Sequence, residues 1–257
     1  MELLYERNKR YFDCLPTVLL AVAVTLPSLF GAVAAASENP VAGVPSAEQL
    51  QLFLNAPEQI YGRKAVYRIY RNRKPIGSHT LYFAHKPNEL VVNIESEIAV
   101  KLLGISLYSR RYQAEEVWSA GELVLLKTLI NDSRAGTRMI EAVNRGDYLQ
   151  IEDSARDSTF TSALADHASS HWHPGAISAR RIFHVLHGRL YQGPPAARGW
   201  ERVVLDSGDV VSARRYDYAA GFNASVWYDA DWRWVKLSFS ADDGSNVEYK
   251  CLECKAR

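Results

Sequence analysis

From Lys64 onward, apolar and polar side chains alternate with a period of two. Leu90, Val92, Ile94, Ser96 and Ile98 interleave with Val91, Asn93, Glu95 and Glu97, the pattern of a strand with one dry and one wet face. Similar runs are read at 65–71, 78–85, 105–112, 122–130, 137–143, 147–152, 201–206, 209–218, 223–228, 233–240 and 246–252. Turn chemistry separates them at Lys74–Gly77, Lys86–Asn88, Ala120–Gly121, Asn144–Asp147, Ser207–Gly208, Asp229–Asp231 and Asp243–Gly244. Many short strands joined by tight turns predict an antiparallel meander.

Two stretches depart from this period. Ser46 followed by Gln49 forms a capping-box pattern ahead of Leu50, Phe53 and Leu54, which predicts a short helix. Residues 155–175 are polar and rich in histidine, and 176–188 then carry Ile177, Ile182, Phe183, Val185 and Leu186, with Gly188 as a stop. That second stretch predicts a helix near 176–188, set between two groups of strands. A mainly β fold is therefore expected, an antiparallel curved sheet or an open half-barrel wrapped around one helix.

The front of the chain has a different character. Arg7, Lys9 and Arg10 precede an apolar run from Leu15 to Ala36 that Pro27 and Ser28 interrupt. The small residues Ala32, Ala34, Ala35 and Ala36 at its end fit cleavage of a signal peptide after Ala34 or Ala36. About 22 apolar residues also suffice for an uncleaved anchor. Both readings place the bulk of the chain outside the cytoplasm, with the periplasm expected for the cleaved form and an inner-membrane anchor for the uncleaved one. The expected organisation is a signal segment over 1–36, a linker and short helix over 37–62, and the β domain over 63–257.

Charge excludes one class of partner. The chain holds 30 Lys and Arg against 29 Asp and Glu, and the balance persists beyond residue 36. Nucleic acid is not an expected partner, because its recognition needs an excess of positive charge on one face. Contact with a membrane is expected only through the N-terminal segment if it stays uncleaved. Cleavage would remove Cys14 and leave Cys251 and Cys254, a C-x-x-C pair at the end of the last strand. In an oxidising compartment this pair reads as a short disulfide or as two idle thiols.

Several segments together resemble a family of uncharacterised bacterial exported proteins, classed as a domain of unknown function. They are the opening strand pair with a central glycine (Tyr67–Tyr70 and Ile76–His79), the Ser170-His171-Trp172-His173-Pro174 segment, and a closing hairpin of Val226-Trp227-Tyr228-Asp229, Trp234–Leu237 and Asp243-Gly244-Ser245. The resemblance covers about residues 63 to 252. It implies an open β barrel similar to periplasmic lipoprotein carriers, and it brings no catalytic residues with it.

Candidate chemistry is sparse. His167, His171 and His173 fall within seven residues and could hold a metal, with His184 or His187 as a further ligand, although no HExxH spacing occurs. Asp206-Ser207-Gly208 imitates an aspartic-protease loop but has no second copy, so a hairpin turn explains it. No G-x-S-x-G elbow and no glycine-rich phosphate loop is present. Glu115 and Glu116 would point to opposite faces of a strand and read as solvated charge.

Aromatic residues remain. Six tryptophans and fourteen tyrosines are abundant for one β domain. In strands such residues ordinarily fill a core. Trp118, Trp172, Trp227, Trp234 and Tyr228 are also candidates for lining an apolar groove that receives a lipid or another apolar small molecule. The expected function is a non-enzymatic exported envelope protein that binds such a ligand and needs no cofactor. The competing expectation is a metal-dependent enzyme or sensor built on His167, His171 and His173.

Overall fold

Two short helices lead into the sheet. In the computed structural model, which describes residues 43–254 apart from 104, 157 and 219–222, α1 spans Ala47–Asn55 and α2 spans Pro57–Tyr61. The expected capping box is present: the Gln49 N–H donates to Ser46 Oγ and the Ser46 N–H to Gln49 Oε1. Phe53 and Tyr61 bury their rings, so both helices pack as part of the main unit, Pro40–Arg257. The expected signal segment over 1–36 lies outside the described residues. Among the described residues no helix is long and apolar enough to cross a membrane.

Among the described residues sixteen strands follow in chain order: β1 (Lys64–Arg71), β2 (Lys74–Lys86), β3 (Glu89–Leu102), β4 (Ile105–Ser119), β5 (Glu122–Asp132), β6 (Gly136–Asn144), β7 (Leu149–Asp153) and β8 (Ser158–Ser162) come first. Then come β9 (His167–Ala168), β10 (Arg181–His184), β11 (Arg189–Gln192), β12 (Ala196–Val204), β13 (Val210–Asp217), β14 (Ala224–Asp229), β15 (Trp234–Ser240) and β16 (Asn246–Glu253). Thirteen of them form one antiparallel sheet in the order β12-β13-β14-β15-β16-β1-β2-β3-β4-β5-β6-β7-β8. Every step is a hairpin neighbour except β16 with β1, which joins the last strand to the first. The protein is thus mainly β, and its large sheet is not closed into a barrel. The expected fold class is present.

Alternation decides which face is inside. On β3, Leu90, Val92, Ile94 and Ser96 are buried while Asn93, Glu95 and Glu97 are exposed. Cross-strand pairing carries that parity sideways, from His79 on β2 to Ser96, Tyr112 on β4 and Ile130 on β5. A second row runs Leu81, Ile94, Ala114, Thr128 and Ile140.

The first turn differs from expectation. Lys74–Gly77 was the expected turn, but these residues belong to β2 and the reversal falls on Asn72 and Arg73, both with positive φ. Ile69 faces Gly77 while Tyr70 faces Pro75, so Ile76 forms a bulge that accommodates the proline. Gly77 lies tight against β3, where a Cβ would land on the Glu97 carbonyl oxygen. Gly77→Ala is expected to force these strands apart and cost about 2–3 kcal/mol, read as a fall in the thermal midpoint.

The element enclosed by the sheet also needs correction. Residues 176–188 do not form the expected helix. A 3-10 turn spans Pro174–Ile177, and the chain then makes the hairpin β10–β11, whose turn ends on Gly188 with φ +61°. The expected burial of Ile177, Ile182, Phe183 and Val185 is correct, but its cause is different. A short apolar run buried on both sides has no diagnostic period, and here β9 pairs in parallel with β10 and completes a second, three-stranded sheet.

The insert between β8 and β12 reveals the curvature. Within it, His171 contacts β14 and Trp172 contacts β4. Those strands are six steps apart in the sheet, which would be about 29 Å if it were flat. Two consecutive residues bridge them, so the sheet bends around the insert.

Candidate functional site

Glu116 sits where the insert meets the sheet. Parity with Tyr112, Ala114 and Trp118 points its side chain inward, and it is fully buried. Its Oε2 accepts the indole N–H of Trp118 at 3.1 Å and that of Trp172 at 2.9 Å. Burial pushes its pKa up, while hydrogen bonding from Trp172, Ser170 and Trp118 pulls the other way, and Oε1 has no hydrogen-bond partner. The expectation of solvated charge is therefore overturned for Glu116.

Aromatic hydroxyls fasten the insert by its backbone. Tyr61 donates to the Trp172 carbonyl at 2.7 Å and accepts from the Trp234 N–H at 3.0 Å. Tyr228 donates to the His171 carbonyl at 2.8 Å, and Tyr67 donates to the Trp234 carbonyl at 2.9 Å. Tyr67 and Trp234 stack with ring centroids 4.0 Å apart. These contacts satisfy carbonyls that would otherwise be stranded in a dry interior.

The five proposed ligand-lining aromatics are all buried. Trp118 and Trp172 meet edge to face at 5.8 Å, and Trp234 and Tyr228 lie nearby under the insert. Trp227 faces the opposite way: its indole donates to Glu201 at 2.8 Å and the Lys236 ammonium lies 4.6 Å above its ring. Four of the five therefore gather around the insert, and Trp227 does not.

The histidines divide in the same manner. His167 and His173 stack at 4.8 Å, with Trp118 5.7 Å from His173. His171 instead faces Tyr218 and Trp234. Burial lowers the pKa of His171 and His173 to about 3 and that of His167 to about 4. Among the described residues no three His, Cys, Asp or Glu side chains are gathered as a metal site would require.

His79 is a site residue that reading the sequence missed. Its ring lies between Trp234 at 5.7 Å and Tyr249 at 5.4 Å, neither nitrogen has a hydrogen-bond partner, and burial lowers its pKa to about 3. Tyr112 and Thr128 likewise bury hydroxyls without partners. Parity with Leu81 and Ala114 was the available signal for all three.

Ion pairs line one rim of the interior. Asp132 receives Arg110 at 2.8 Å and the Tyr108 hydroxyl at 2.6 Å, and hydrogen bonds hold its carboxyl well below the usual range. Arg138 pairs with buried Asp153 at 2.7 Å and donates to the Leu186 carbonyl, tying the insert's hairpin to β6. Cys251 and Cys254 are joined in a disulfide, with Cα atoms 5.9 Å apart. Asp206 occupies the β12–β13 turn and pairs with Arg68 at 2.9 Å and with the Tyr70 hydroxyl.

Two surface cavities accompany this interior. A groove of about 690 Å³ crosses the outer face of β4–β7 past Glu115, Lys127, Glu141 and Glu152. A hollow of about 360 Å³ lies beside His167, Gly175 and Arg181. Neither is lined by the aromatic candidates.

Fold and site together define an open, β-barrel-like antiparallel protein whose curved sheet encloses an insert. The chain belongs to the DUF6134 family, a domain of unknown function, whose model matches residues 67–252. A solved β-barrel-like protein of the domain of unknown function DUF1849 from Brucella abortus is similar over 75% of this chain and 96% of its own, at 10% identity and a TM-score of 0.54. A DUF1089 family protein from Pseudomonas aeruginosa matches 68% of this chain and 88% of its own, at 9% identity and a TM-score of 0.27. No curated protein matches the sequence.

Proposed function

We propose that this is a non-enzymatic protein of the bacterial envelope, exported to the periplasm, that holds an apolar ligand against the concave face of its sheet. The observation that carries this reading is the covered aromatic wall. Tyr67, Phe83, Trp118, Tyr228 and Trp234 face inward, and the covering Ser170–His173 segment is fastened by hydrogen bonds to its own carbonyls and one indole. The cover is held by these bonds and by the packing of the Trp172 ring against Phe83 and Trp118, and the wall beneath it is apolar, aromatic and concave.

Native mass spectrometry of protein purified from its own periplasm, with lipid extraction, tests the reading. A co-purifying apolar molecule and a mature chain beginning after Ala34 or Ala36 are expected. Protein recovered from the cytosol, or protein that carries no apolar molecule and takes up none from membrane extracts, overturns it.

A further inference from the structure

Three unpartnered polar atoms surround one small residue on the inner wall. Ala114 stands between Tyr112 and Glu116 on the same face of β4, and Thr128 is its direct cross-strand partner on β5. Residues paired this way hold their Cβ atoms roughly 5 Å apart, and neighbours two along a strand are about 7 Å away. The Tyr112 hydroxyl, Glu116 Oε1 and Thr128 Oγ1 are buried without a hydrogen-bond partner of their own, and the Ser170 hydroxyl is the one further donor acting on the Glu116 carboxyl. Tyr112 and Glu116 are near enough to feel each other electrostatically.

Burying such atoms unpaired costs about 1–3 kcal/mol each, so a cluster of three is expensive unless something visits it. All three can accept a hydrogen bond, and one belongs to a carboxyl group. The arginines on the same face do not serve them, because Arg110 is engaged with Asp132 and Arg138 with Asp153. An anionic head group would meet Glu116 without a cation, and a hydroxyl head brings one donor. A primary ammonium brings three donors and no acceptor, and its charge complements the carboxylate.

We infer that the stretch of inner wall around Ala114, beneath the insert, binds the primary amino head of an apolar ligand, with Glu116 as its counter-ion and Tyr112 and Thr128 as further acceptors. This rests on the apolar-ligand reading above and specifies its head group. The two indoles hold Oε2, which leaves Oε1 as the oxygen available to the ligand. Burial raises the Glu116 pKa and a bound ammonium lowers it, so any proton the carboxyl holds in the empty protein passes to solvent on binding. Binding therefore releases up to one proton.

Titration calorimetry with octylamine, 1-octanol and octanoate, each in two buffers of different ionisation enthalpy, tests the assignment. Octylamine is expected to bind on the order of thirtyfold tighter than the other two, with proton release. Glu116→Gln should abolish that preference, and Thr128→Val should weaken octylamine by about fivefold while leaving octanol unchanged. Thr128→Val keeps the assignment testable if the Glu116 variant fails to fold. Equal binding of the three compounds overturns the amino-head assignment and leaves the apolar-ligand reading standing. Failure of octylamine to bind overturns it whatever lipid the purified protein carries.

Discussion

On acidification from pH 7 to about pH 4.5, the protein is expected to lose its tertiary structure before its surface carboxylates protonate. Burial keeps His79, His171, His173 and His184 neutral, with pKa values lowered to about 3, and His167 lowered to about 4. In the unfolded chain each titrates near 6.5. A histidine whose folded pKa is depressed contributes stability that is fully present above its unfolded pKa and is lost as pH falls toward the folded one. At pH 5 each costs about 2 kcal/mol, on the order of 10 kcal/mol for five acting independently, comparable with the whole stability of a domain.

Other groups shift this window little. Asp132, Asp153 and Asp217 have lowered pKa values, so their contributions fade only below about pH 4, where they titrate when unfolded. Glu116 acts in reverse, because its raised pKa makes the folded state more favourable as the acid form fills. One carboxyl does not offset five imidazoles. Tryptophan fluorescence and near-ultraviolet circular dichroism against pH should show one transition between about pH 5.5 and 4.5. His79→Leu removes one of the five and two unpartnered nitrogens, so it should move the midpoint to lower pH. A wild-type midpoint below pH 4 would assign the transition to the carboxylates instead.

Four of those five histidines belong to the insert, and this is where the sequence was hardest to read. Along β3, from Val92 to Glu97, alternation identified both strand and face, because the strand there has one wet side. Between 167 and 187 the hairpin is covered on both sides, so Ile182 and Phe183 are buried consecutively and the period that distinguishes strand from helix disappears. Glu116 failed for another reason. Its residue type argued for solvent while its parity with Tyr112 and Trp118 argued for the core, and parity was the stronger physical constraint. His79 follows the same rule with Leu81. The disulfide, the capping box and the open antiparallel architecture were legible, because each depends on neighbours close in the chain or on a repeated period.

Trp172→Ala is expected to be the most damaging single truncation in the insert. The ring is fully buried, meets Phe83 at 5.6 Å and Trp118 at 5.8 Å, and donates to Glu116. Emptying that volume costs about 3–5 kcal/mol, and removing one of the two indole donors on Oε2 adds about 1–3 kcal/mol. Trp172→Phe retains most of the volume and removes the donor, so it should lose only part of this. Trp200→Ala, on the edge strand β12 where the residue is 56% exposed, should change stability by less than about 0.5 kcal/mol. Urea denaturation ranks the three. If Trp172 closes a cover over an aromatic wall, its alanine variant should also bind a fluorescent apolar probe under conditions where the native protein does not, while still showing the β signature in the far ultraviolet. Loss of stability without that gain in probe binding would mean that the insert is core in the ordinary sense and that the concave face is never presented to a ligand.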